Sequence, residues 1–332
     1  MSDLYIMGDV YLDRSFRIDR EFDRFIFNLE YPISAGGIPA LNKVNLRQKQ
    51  SFIEETFGKY PQAVCLANNH IFDYGREAFL DTIEFLEENN IAFFGAGTQE
   101  NNFNNPWLYS CGGNTIAFLA YCSPQAGCAP DMTGDYGVAL LDLERIEKDI
   151  QAAREQAGQV VCMLHWGEEE IAYPKPEEVQ LAHRIIDAGA DLIIGHHPHV
   201  IRPLEMYRDK AIFYSIGNFI FPDLNLKTFW DGKHYQRKLV KKQNRQNRQG
   251  LIVALDENGK FFKTMKSLQT KNFISTSEHK AQNQADLLNG TQYAEFYSRY
   301  YKHARRKILM SVFLQNPRLP RKGSIKELLT GK

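Results

Sequence analysis

The chain has 332 residues, 43% of them hydrophobic, and its 40 Lys and Arg balance 40 Asp and Glu to a formal net charge of zero. That is ample for a real core, in one large domain or two small ones, and it excludes an overall field that would gather polyanions over the whole surface. The five cysteines, Cys65, Cys111, Cys122, Cys128 and Cys162, are scattered without a C-x-x-C pair, which argues against a disulfide framework and a thiolate zinc site. No apolar run approaches the roughly 20 residues that span a bilayer, and residues 1–10 pass directly into strand-like sequence. A cytoplasmic location without an integral membrane segment is therefore expected.

Leu4 to Met7 predicts a short apolar strand ending at Gly8-Asp9, and Phe25 to Phe27 predicts another ending at Asn28-Leu29-Glu30. Ala63 to Leu66 runs into Ala67-Asn68-Asn69-His70, with Asp73 three residues further on. A helix is expected over Arg76 to Asn89, where Phe79, Ile83 and Leu86 make an apolar stripe. Strands at Ile91 to Phe94 and Thr115 to Tyr121 precede the run Val160 to Leu164, which delivers His165-Trp166-Gly167-Glu168. A second helix, Pro176 to Ala188, buries Val179, Ala182, Ile185 and Ile186, and the strand after it, residues 191–194, ends in Gly195-His196-His197-Pro198-His199. Further strands are expected at Ile212 to Ser215 and Leu251 to Leu255. Residues 225–249 carry Lys227, Lys233, Arg237, Lys238, Lys241, Lys242, Arg245 and Arg248 against Asp231, which predicts a mobile loop with a basic face. From Tyr293 the sequence predicts an aromatic helix followed by a basic tail. The division expected is a domain over 1–270, with the basic insertion inside it, and a helical extension over 271–332. Strands alternating with helices imply an α/β domain with much parallel pairing, whose ligands bind beyond the carboxyl ends of the strands. Five polar clusters then meet in one crevice.

Each cluster has a bland reading and a chemical one. Asp9 after Gly8 suits a turn or a cap as well as a metal ligand, and Asn28 with Glu30 suits an edge-strand hydrogen-bond pair as well as a bridging carboxylate with a neighbouring amide. Asn68, Asn69 and Asp73 suit a helix cap, yet Asn69 also offers a ligand oxygen, His70 a proton donor and Asp73 a carboxylate to orient His70. If its strand continues through the triplet, His197 and His199 share one face and can clasp a metal, while His196 and Pro198 point elsewhere. Asp9, Glu30, Asn69, His165, His197 and His199 are too many donors for a four-coordinate zinc site. Two cations sharing Glu30, roughly 3.5–4 Å apart, would use them and would acidify water between them. The absence of cysteine ligands favours Mn, Fe or Zn with mixed nitrogen and oxygen donors.

The motifs GDVYLDR (8–14), NLEYP (28–32), LANNHIFDYG (66–75), FFGAG (93–97), HWGEE (165–169), GADLIIGHHPHVIRPLE (189–205) and YSIGNFIF (214–221) together resemble the CapA family of capsule and poly-γ-glutamate biosynthesis proteins. The resemblance implies a calcineurin-like metallophosphoesterase fold, a two-sheet β sandwich flanked by helices, with a dinuclear site at one end. It implies that Asp9, Glu30, Asn69, His165, His197 and His199 are metal ligands, that His70 is a general acid beside the amide ligand Asn69, and that Arg14 holds an anionic group. Asn28, His196, Glu169 and Asn218 are expected near the substrate. Tyr11 stands where the wider superfamily pattern has histidine, Glu30 where it has aspartate, and Asp13 where the family usually has glycine.

The activity expected is metal-dependent hydrolysis of a phosphoester or related anionic bond during assembly of a capsule, exopolysaccharide or polyglutamate-like polymer. The alternatives are amide cleavage in a γ-glutamyl substrate, a non-catalytic accessory subunit of a polymer synthase or export system, and metal-independent proton transfer by the histidines. The partner expected is an anionic polymer or a phosphorylated small molecule rather than nucleic acid, since the basic insertion lacks interleaved aromatics and no nucleic-acid module is present.

Overall fold

The computed structural model describes residues 3–104, 106–128 and 135–316. The basic tail expected after residue 316 lies outside them. Two large sheets face each other. The first is built on the strand Leu4–Val10, which pairs in parallel with Arg24–Leu29 and antiparallel with Gln249–Leu255. Arg24–Leu29 pairs in parallel with Ala63–Cys65, and that strand with Ala92–Phe94. On the other side Gln249–Leu255, Phe261–Thr270 and Phe273–His279 pair antiparallel in succession, and the last pairs in parallel with the short edge strand Arg17–Ile18. The second sheet has the order Leu204–Tyr207, Lys210–Phe213, Leu192–His196, Gln159–His165, Asn114–Cys122, Trp107–Cys111.

The strand period of two explains the layers. In the second sheet Phe118, Val161, Met163, Ile194 and Phe213 face the first sheet and join Ile6, Ile26 and Val64 in one core. Their sequence neighbours Leu119, Cys162, Leu164, Ile193 and Ile212 face outward and are covered by Ile146, Ile150, Ala182 and Ile185 of the helices Leu143–Arg154 and Pro176–Asp187. Asp142 starts the first of these helices by accepting the Arg145 N–H at 3.0 Å. Phe57 of the short helix Ile53–Phe57 stacks on Phe25 and Phe27, with centroids 4.7 and 5.5 Å apart. Full burial of each such side chain contributes roughly 1.5–3 kcal/mol. The α/β two-sheet sandwich flanked by helices, with a helix at the C-terminal end (Tyr293–Gln315), is therefore the architecture of the chain.

Four expectations change. Residues 225–249 are not a loop, because Leu224–Trp230 and Tyr235–Lys241 form an antiparallel hairpin whose turn is tied by Asp231 accepting the N–H groups of Lys233 and His234, both at 2.8 Å. The first sheet continues past residue 270 through Phe273–His279. The strand leading into the histidine triplet stops at His196. Cys122 and Cys128 are paired as a disulfide with their Cα atoms 5.9 Å apart, because the chain after the strand Asn114–Cys122 turns back on itself. Among the described residues no helix is long and apolar enough to cross a membrane.

Gly8 shows how closely the framework is drawn around the site. A Cβ there would stand 1.9 Å from the carbonyl oxygen of Gly217, the same oxygen that accepts the Asp9 N–H at 3.1 Å. Gly8→Ala is expected to part these two segments and to cost about 1–3 kcal/mol, read as a lowered urea midpoint with an unchanged m-value.

Candidate metal centre

Parallel register brings the strand ends together. Asp9 lies opposite Asn28 on one side and Asn218 on the other, and His165 lies opposite His196 in the second sheet. Glu30 follows immediately after its strand, and Asn69 and His70 follow the strand Ala63–Cys65 in a turn whose N–H groups at His70 and Ile71 both donate to Asn68 Oδ1 at 3.0 Å. Asn68 therefore caps this turn, whereas the helix Gly75–Glu88 has no side-chain cap. Beyond His196 the chain adopts left-handed backbone at His197 (φ 91°) and His199 (φ 57°). This costs about 1–3 kcal/mol per residue and turns both rings toward the cluster. The expected strand alternation thus gives way to a strained loop, and His196 also faces Asp9 rather than pointing elsewhere.

Asp9 is fully buried and has four partners. Its Oδ1 accepts from Asn28 Nδ2 at 2.8 Å and contacts His196 Nδ1 at 3.1 Å, while Oδ2 accepts the His197 N–H at 3.2 Å and stands 3.4 Å from His199 Nδ1. Burial pushes its pKa up, but His196 and His199 outweigh that and hold it well below the usual carboxylate range. Glu30 is also fully buried, yet neither of its carboxylate oxygens has a hydrogen-bond partner. His165 Nε2 and His199 Nε2 stand 3.7 and 3.8 Å from Glu30 Oε1, beyond hydrogen-bond reach. Burial pushes Glu30 well above its ordinary value.

One ligand atom from each of Glu30, His165 and His197 lies within 4.8 Å of the other two, and the same holds for Asp9, Glu30 and His199. Glu30 belongs to both groups. Asn69 Oδ1 is 3.0 Å from His165 Nε2, beside the first group. Burial and the neighbouring His197 hold His165 well below the ordinary imidazole range, and burial brings His197 down to about 3, so both rings are neutral and able to ligate. Burial opposes charge on His199 as well, but Glu30 and Asp9 raise it to about 10. His197 Nδ1 is buried without a partner, as are the Glu30 oxygens. Leaving such a carboxylate sealed from water carries a penalty on the order of several kcal/mol, which a bound cation removes. The residues present fit two divalent ions.

His70 Nδ1 and Asp73 Oδ2 are 2.6 Å apart. The same Asp73 oxygen accepts the Leu46 N–H at 2.6 Å, and Lys43 Nζ is 2.5 Å from Asp73 Oδ1 and also donates to the Asn69 carbonyl. This fixes His70 through Nδ1 and leaves Nε2 for the cavity that His70 lines. That cavity, of about 670 Å³, is bounded by Asn69, His70, His197 and His199 on one side, and by Lys241 of the hairpin and Arg305 of the C-terminal helix on another. Asn316 bonds the Val240 backbone in both directions, at 2.9 and 3.2 Å, which seats the helix on the hairpin.

The expected substrate contacts divide. Glu169 lines the cavity, held by Lys241 at 2.8 Å. Asn28, His196 and Asn218 do not reach its wall. They lie behind the ligands, buried, with Asn218 Oδ1 2.8 Å from His199 Nδ1 and Asn28 accepting from Asn68 at 3.1 Å. Arg14 is corrected as well, since it pairs with the adjacent Asp13 at 2.6 Å and lines a separate cleft with Arg248 and Asn272. Lys43 and Phe221, whose ring sits 4.8 Å from that of His199, were not legible as site residues, because neither belongs to a polar cluster at a strand end.

A helix-flanked sandwich whose strand ends gather two carboxylates, an amide and three imidazoles beside a cavity defines the class, a protein built around a candidate dinuclear metal centre. The model of the bacterial capsule synthesis protein PGA_cap family matches residues 8–223, well over half of the chain, and the chain belongs to that family. It is 33% identical over 202 residues to the capsule biosynthesis protein CapA of Bacillus anthracis, covering 58% of this chain and 49% of the relative. It is 38% identical over 156 residues to the PGA biosynthesis protein CapA of Bacillus subtilis (strain 168), covering 47% of this chain and 41% of the relative. The chain thus spans about half the length of the curated relatives it matches. A solved calcineurin-like phosphoesterase, YfkN of Bacillus subtilis, shares 17% identity over 76% of this chain and 72% of its own, with a TM-score of 0.34, an overlap too slight to carry a functional inference.

Proposed function

We propose that the chain is a metal-dependent hydrolase of a phosphoester or related anionic bond, acting in assembly of a capsule or poly-γ-glutamate-type polymer. The observation that carries this reading is Glu30, a buried carboxylate with two unpartnered oxygens that belongs to both ligand groups. In this reading Glu30, His165, His197 and Asn69 hold one divalent ion, and Asp9, Glu30 and His199 the other, with Mn, Fe or Zn suited to the mixed donors. When bound, such a pair supplies Lewis-acid polarisation and acidifies water near neutral pH. The protein's own part is to place acid and charge. His70, oriented by Asp73, delivers a proton from Nε2 to the leaving group. Lys241 and Arg305 at the cavity wall offset the charge of an anionic substrate.

The test is metal content together with activity. Purified protein is expected to carry about two divalent ions per chain, and to hydrolyse generic phosphodiesters in a reaction abolished by chelation and restored by Mn²⁺ or Zn²⁺. Turnover by metal-free protein would overturn the proposal. The same assay with a γ-glutamyl oligomer separates ester from amide cleavage.

A further inference from the structure

The helix Tyr293–Gln315 has two different faces. Ile308 and Gln315 turn one of them to the cavity. On the opposite face, at the i, i+3 and i+4 positions of one patch, Met310, Phe313 and Leu314 are 52%, 37% and 69% exposed. Three large apolar side chains together at the end of a helix exceed what a water-facing surface needs. Lys302 and Lys307 lie on the same face one to two turns earlier, both exposed. The sequence that follows, 317–332, continues the same sign, with Arg318, Arg321, Lys322, Lys326 and Lys332 against Glu327.

We propose that this outer face of the C-terminal helix docks the protein on an anionic lipid surface, with Met310, Phe313 and Leu314 entering the boundary between headgroups and acyl chains, and the lysines pairing with anionic headgroups. The charge selects the occupant. A soluble polyanion leaves the apolar residues uncovered. An apolar patch bordered by cations matches an acidic bilayer in both respects. The cavity face of the same helix stays turned to the candidate metal centre, so docking would hold that cavity near the membrane surface. The inference does not depend on the proposed hydrolysis.

The test is sedimentation of the full chain with vesicles. Binding is expected to phosphatidylglycerol-containing vesicles, to be weak to pure phosphatidylcholine, and to fall with salt. Phe313→Glu with Leu314→Glu, and separately Lys302→Glu with Lys307→Glu, are each expected to weaken binding at least about tenfold while thermal melting is unchanged. Four results would overturn the proposal. They are no binding to anionic vesicles, binding that survives both double variants and depends only on residues 317–332, retention on a soluble polyglutamate without vesicle binding, and a dimer in light scattering that the apolar substitutions dissociate.

Discussion

Glu30→Gln is expected to remove bound metal from both positions at once and to lower turnover by about a thousandfold, equivalent to roughly 4 kcal/mol of lost transition-state stabilisation. A substitution at His165 touches one ligand group, and one at Asp9 touches the other, but Glu30 belongs to both. The same residue sets the pH dependence. Burial pushes Glu30 above the ordinary carboxylate range, and His199, facing Glu30 and Asp9, is raised to about 10. At neutral pH the metal-free site therefore carries protons that a divalent ion must displace, so affinity rises with pH and binding releases protons. In the metal-free protein, the stability contributed by His199 is fully present below the ordinary imidazole value of about 6.5 and is lost as pH rises through about 10. A bound ion takes the place of that proton and abolishes the loss. Calorimetry in buffers of different ionisation heat reads the proton release, and elemental analysis of the variant reads its metal content. Affinity independent of pH between 6 and 8, or a Glu30→Gln protein that keeps its metal, would contradict this account.

Asp73→Ala is expected to be the most destabilising substitution at the site, by about 3–5 kcal/mol, because it strips partners from three groups at once. These are the Leu46 N–H, the Lys43 ammonium and His70 Nδ1. His70→Gln leaves the Leu46 and Lys43 contacts in place. It is expected to cost less than about 1 kcal/mol in stability, yet to reduce kcat by about 10²–10⁴, with metal content unchanged. Denaturation midpoints, kcat and metal content, measured side by side on the two variants, separate the scaffold role of Asp73 from its orienting role. Equal stability losses in both variants would show that His70 is packing rather than chemistry.

Much of this was legible because short apolar runs ending in polar residues report both a strand and its functional end. Leu4–Val10, Gln159–His165 and Leu192–His196 each bury hydrophobic residues along their length and present Asp9, His165 or His196 at the tip. Period-two and period-3.6 patterns carry that information locally, and the helices at 75–88 and 176–187 followed from it. The hairpin was harder to read. Leu224–Trp230 and Tyr235–Lys241 alternate weakly because only one face is buried, Thr228 packing against the Lys43 backbone, and so lysines dominate the composition.

Sequence alone determined the fold class, through the resemblance its ordered motifs carry, and offered the six candidate ligands, because short apolar runs ending in polar donors are a local property of the chain. Tertiary structure decided which candidate donors lie together, that Asn28, His196 and Asn218 stand behind them, and that Arg14 opens on another cleft. It also decided that Lys43, more than twenty residues before Asp73, locks that carboxylate, and that the hairpin and the last helix complete the cavity. These outcomes depend on sheet register and on contacts between residues far apart in the chain, and no local pattern records them.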